Sequence, residues 1–122
     1  MNVLLGLGGS DESVKALRRT IDRTRQADDD LTVAVIEKSD ADRSAEEMAH
    51  QAEKLLSEAG IDAEVTQLVG DPGSALVDFA ESGEFDQLVI GGGTESPMGK
   101  IRLGGITEFV LLNATTTVKL IR

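Results

Sequence analysis

Short apolar runs alternate with amphipathic segments along the whole 122-residue chain, and that alternation decides its fold class. The runs at 2–7, 31–36, 61–68, 85–90 and 115–121 have strand length and are bounded by turn residues. The stretches between them have helical period. In the first, Ser10 supplies an N-cap and Asp11 and Glu12 the acids of an opening turn. Val14, Leu17, Ile21 and Thr24 share one face before Asp28-Asp29-Asp30 ends the segment as a solvated turn. In the second, Ser44 and Glu47 form a capping-box pattern. Ala45, Met48, Ala49, Ala52, Leu55, Leu56 and Ala59 then make a stripe closed by Gly60. The turn Gly70-Asp71-Pro72-Gly73 leads into a third, short helix through Leu76, Phe79 and Ala80, stopped by Gly83. The fourth opens at Gly104-Gly105, with Ile106, Phe109, Val110 and Asn113 expected on its inner face. Strands alternating with helices predict an α/β fold: an open, doubly wound parallel sheet with four helices on its two faces. Such sheets bind ligands at the carboxyl ends of their strands, where the strand order reverses. No linker or repeat divides the chain, so residues 1–122 read as one domain. Strand five, with three consecutive threonines, is a candidate exposed edge; pairing with its own copy across a twofold axis would cover it.

Composition narrows the chemistry. The 22 acidic side chains against 12 basic ones give a formal net charge of -10, which disfavours nucleic acid and anionic membranes as partners. An acid excess of this kind is expected of a protein in a high-salt cytoplasm, the halophilic reading; an ordinary acidic domain is the alternative. The only aromatics are Phe79, Phe85 and Phe109, so the core must be built from aliphatic side chains. The absence of cysteine excludes disulfides, thiolate metal sites and cysteine nucleophiles. No apolar run reaches bilayer length, and the opening MNVLLGLGG reads as a strand rather than a signal peptide. A cytoplasmic location is therefore expected.

Glycine-rich turns follow strands one and four. Gly6-Leu7-Gly8-Gly9-Ser10 approaches a dinucleotide fingerprint, but Asp11 stands where the third glycine is required, and an acid there repels a pyrophosphate. Gly99-Lys100 fails as a phosphate-binding G-x-x-x-x-G-K-(S/T) loop, because Ile101 follows it and Thr94 replaces the first glycine. A phospho-acceptor pocket is excluded by the glycines that end strand one. Asp11 and Asp71 read as a helix-start acid and a turn residue, and no carboxylate metal site is assigned from them with Asp86. His50, the single histidine, falls beside the apolar stripe of helix two and reads as a surface residue. No nucleophile or general base is placed, so no catalytic residue is named. The segment from Gly91-Gly92-Gly93 to Gly104-Gly105 has the parts of an anion cradle: a strand end, a loop carrying Lys100 and Arg102, and a helix start. Contact with phosphate and a solvated loop are both open for Lys100 and Arg102.

Over its whole length the chain resembles the universal stress protein family. The resemblance lies in VLLGLGGSDES at the start, FDQLVIGG at strand four and, most closely, LGGITEFVLLNATTTVKLI at the end. It implies a five-stranded sheet of order 3-2-1-4-5 and a homodimer formed through strand five, Thr115 to Ile121. The family's ATP-binding members carry G-x2-G-x9-G-(S/T) after strand four. In that frame Gly91 and Gly104 match, whereas Thr94 replaces a glycine and Gly105 replaces the hydroxyl residue. Gly8 stands where those members usually carry an Asp at the end of strand one. A hydroxyl donor to phosphate contributes up to about 1.5–3 kcal/mol when charge-assisted, so these changes predict weakened or lost ATP binding. The segment between strand two and helix two is also shorter than in most members. The resemblance implies a stress-response module acting through dimerisation and an unidentified protein partner. The alternative is an ATP or AMP sensor, with the backbone of Gly91, Gly104, Gly105 and Ile106 at the phosphates and Ile36 lining the base. A hydrolase is a further alternative with no assignable base.

Overall fold

In the computed structural model, residues 1–37, 43–92, 94–95 and 97–122 are described. The centre of the sheet is β1 (Asn2–Leu7), whose Leu4, Leu5 and Leu7 are fully buried. Each such side chain contributes about 1.5–3 kcal/mol on leaving water. Parallel β2 (Asp30–Val35) pairs along one side of it, Leu5 opposite Val33, and β4 (Gln87–Gly91) along the other, Leu5 opposite Val89. The outer strands are β3 (Glu64–Gln67), beside β2, and the last strand, β7 (Thr117–Ile121), beside β4. The order is β3-β2-β1-β4-β7, the 3-2-1-4-5 sheet expected from the sequence.

Because successive strand side chains point to opposite faces, β1 feeds two cores. Val3, Leu5 and Leu7 pack with Val33, Val35 and Val89 under α1 (Asp11–Ala27) and α2 (Ala45–Glu58). Leu4 packs on the other face with Ala34, Ile36, Leu88 and Ile90 under α3 (Pro72–Ser82) and α4 (Gly105–Asn113). The helix starts at Ser10 and Ser44 follow the sequence reading: each side chain accepts from the backbone N–H three residues on. Asp71 does the same for Ser74, so the expected turn residue is also the cap of α3.

Three details depart from the sequence reading. The third strand is shorter than 61–68, because only Glu64–Gln67 pair with β2 at this edge of the sheet. The loop after β4 folds back as a small antiparallel hairpin, β5 (Thr94–Glu95) with β6 (Ile101–Arg102). The inner face of α4 is also rotated. Thr107 and Val110 are buried, whereas Phe109 is 37% exposed and Asn113 faces solvent. The Phe109 ring lies across Gly73 of α3, and Asn113 Nδ2 donates to the Phe109 carbonyl at 2.8 Å.

Candidate functional site

Strand order reverses at β1, since the chain builds β2 and β3 on one side and then crosses to place β4 on the other. The helices that follow β1 and β4 leave for opposite faces, α1 over one core and α4 over the other. In an open α/β sheet a ligand crevice forms at such a reversal, at the carboxyl ends of the strands. Its rim consists of Gly8, Gly9 and Ser10 after β1, Gly91 and Gly92 after β4, and Gly104 to Ile106 at the start of α4.

The residues singled out in the sequence occupy distinct positions on this rim. A Cβ on Gly91 would lie 2.6 Å from the Glu12 carbonyl oxygen and 2.8 Å from the Ala16 Cβ. Glycine there lets α1 press onto the end of β4. Gly92 donates to the Ile121 carbonyl at 3.1 Å, and a Cβ on it would meet Thr107 Oγ1 at 2.8 Å. Both glycines are held by packing. Gly104 and Gly105 are exposed, and a Cβ on either would meet nothing within 4 Å among the described residues.

Gly104 is the N-cap of α4 and makes no side-chain cap hydrogen bond. The Gly104 carbonyl accepts the α4 bond from Glu108 N–H at 3.0 Å. The N–H groups of Gly105, Ile106 and Thr107 lie ahead of that bond, at the positive end of the helix dipole. Ile106 is half-buried and packs against the same core layer as Ile36, which is itself only 6% exposed. Lys100 is exposed beside the β5–β6 hairpin. Arg102 pairs through its backbone with Thr94; its side chain, and Gly93, lie outside the described residues.

Across the crevice, Gly8 N–H donates to Ser13 Oγ at 3.1 Å. A Cβ on Gly8 would touch only that oxygen, at 3.4 Å, an ordinary contact. Arg43 was not singled out in the sequence. Its guanidinium donates to the Gly9 carbonyl at 3.2 Å and to Asp11 Oδ1 at 2.9 Å, clamping the β1–α1 turn from the start of α2. No local pattern announces a contact that spans 34 residues. The three aspartates weighed as a cluster lie apart in their roles. Asp11 pairs with Arg43, Asp71 caps α3, and Asp86 accepts from Asn2 N–H at 2.7 Å. His50 is exposed beside Glu53. Among the described residues no group of three or more His, Asp or Glu is placed to hold a metal ion. None of their helices is long and apolar enough to cross a membrane.

Residues 1–122 match the model of the universal stress protein family. This chain belongs to that family. It is 30% identical over 116 residues to the universal stress protein Slr1230 of Synechocystis, an alignment covering 95% of this chain and 40% of that protein. The chain thus spans about two fifths of the length of that curated relative. It is similar to the universal stress protein of Archaeoglobus fulgidus, with TM-score 0.78 and 26% identity, over 100% of this chain and 98% of that one. The structure of an Archaeoglobus fulgidus universal stress protein in complex with dAMP gives TM-score 0.75 at 24% identity, with the same coverage. At that identity the likeness speaks to the fold. Laid on the universal stress protein fold, the family frame puts Gly91 in a packing position and Gly104 and Gly105 at an open helix start.

Proposed function

We propose that this universal stress protein is a stress-response regulatory module that holds the phosphate of an adenine nucleotide weakly. On this reading its output is self-association and binding to a partner protein, without turnover. The observation that carries the reading is the start of α4, whose N-cap Gly104 has no side chain to cap it and which is fronted by two exposed glycines with open space before them among the described residues. Such a helix start accepts an anion. The dAMP complex of the Archaeoglobus fulgidus relative supports an adenine nucleotide as the ligand class. Ile36 and Ile106 then lie beneath the base, and Lys100 adds positive charge on the flanking loop.

The weakness follows from two absent side chains. Gly105 offers no hydroxyl to phosphate and Gly8 no carboxylate to the nucleoside, and each such contact accounts for roughly tenfold in affinity. Isothermal titration with AMP, and with ATP and Mg²⁺, is expected to give saturable binding near millimolar, about -4 kcal/mol. Submicromolar binding would establish a dedicated nucleotide sensor instead. No heat at several millimolar nucleotide would remove the phosphate site. Gly105→Ser combined with Gly8→Asp is expected to tighten binding by roughly a hundredfold.

Self-association is assigned to β7, an edge strand of the main sheet. Sedimentation at tens of micromolar is expected to give a dimer, and a strict monomer would contradict the assignment. The exposed Phe109 and Leu112 on α4 offer apolar surface for a partner protein. The acid excess is assigned to life in high salt. Moving from low salt to molar KCl is expected to raise the melting temperature by screening self-repulsion; a lower one would refute the halophilic assignment.

A further inference from the structure

The face of the sheet covered by α1, opposite the face that carries α4, holds a second cavity. It measures about 20 Å³, room for one water-sized group, and lies where the last turns of α1 cross β4 and β7. Val3, Val89 and Ile121 form apolar walls. Thr20 also lines it. That side chain is 4% exposed, and its Oγ1 is buried with no hydrogen-bond partner among the described residues. Its neighbour Thr24 instead satisfies itself by donating to the Thr20 carbonyl at 2.8 Å. A buried hydroxyl left without a partner costs roughly 1–3 kcal/mol, so Thr20 points to a missing occupant.

The rest of the lining gives the sign of that occupant. Arg19 and Arg23 from α1 and Lys119 from the middle of β7 converge on the cavity with the amide of Gln87. The single carboxylate there, Asp29, already faces the Met1 ammonium at 3.5 Å. In a chain of net charge -10, α1 concentrates Lys15, Arg18, Arg19, Arg23 and Arg25. Against Asp11, Glu12 and Asp22 these leave the helix a surplus of two positive charges, which favours anions on this face. A role for Lys119 at the β7 edge accounts for neither the buried hydroxyl nor the arrival of Arg19 and Arg23 at the same cavity.

We infer that this cavity is a second anion site, specific for a phosphate-type oxyanion. One oxygen enters to accept from Thr20 Oγ1. The others sit at the mouth among the Arg19 and Arg23 guanidiniums, the Lys119 ammonium and the Gln87 amide. Guanidinium forks match tetrahedral oxyanions better than a monatomic halide. The site is separate from the α4 helix start and stands whether or not nucleotide binds there.

The test is an amide NMR titration of the full chain with potassium phosphate, against potassium chloride at matched ionic strength. Saturable shifts at Thr20, Gln87 and Lys119 with phosphate only are expected. Lys119→Gln should weaken the apparent affinity by roughly tenfold. Thr20→Val should weaken it similarly without lowering the melting temperature, because that hydroxyl has no protein partner to lose. Equal shifts with chloride, unchanged phosphate affinity in both variants, or shifts confined to Gly104–Thr107 would each overturn the inference.

Discussion

A methyl group built on Gly91 would sit 2.6 Å from the Glu12 carbonyl oxygen, whereas one built on Gly104 would meet nothing within 4 Å among the described residues. In the sequence the two glycine pairs flank one loop and read as halves of a single cradle. In the fold they differ in kind. Gly91 and Gly92 are pressed between α1 and α4, and their lack of a side chain allows helices to approach the strand end. Gly104 and Gly105 are neither crowded nor at positive φ, and their lack of side chains leaves a helix start bare. The same family frame therefore contains a folding constraint at one end and a ligand opening at the other.

The comparison can be broken most forcefully at Gly91. Gly91→Ala drives a methyl group into backbone of α1, which cannot swing aside, and should cost about 1–3 kcal/mol in urea unfolding. Gly92→Ala meets the end of a side chain, Thr107 Oγ1, and should cost less, about 1 kcal/mol. Near-neutral results at both positions would dissolve the packing half of the distinction. At the open pair the expected stability effects are the smallest. Gly104→Asp should change stability by only a few tenths of a kcal/mol, by capping α4. Its carboxylate would nonetheless occupy the α4 N–H groups and repel phosphate, so nucleotide binding should be lost in a folded, slightly stabilised protein.

The framework of the fold was legible in the sequence because short buried strands and capped amphipathic helices are local patterns. Ser10 and Ser44 stand immediately before their helices and cap the N–H three residues on, and the apolar run of β1 reads as a strand buried on both faces. What was illegible depends on distant contacts. Phe109 looks like core, yet the rotation of α4 is fixed by Thr107 and Val110, with the ring displaced over Gly73. The β5–β6 hairpin has two-residue strands, too short for any periodicity. Arg43 reaches Gly9 and Asp11 only because the sheet brings β1 and the start of α2 together. At the candidate site the sequence located the glycines but not their roles, since a missing side chain carries no sign of whether it is crowded or open.

The central claim is that α4 begins as a vacant anion cap. The direct measurement is an amide NMR titration with AMP, followed at Gly105, Ile106 and Thr107, in the natural chain and in Gly104→Asp. The account expects saturable shifts at those three amides that vanish in the variant while its melting temperature is kept. Shifts that persist in Gly104→Asp, or AMP binding that leaves those amides unmoved, would contradict it.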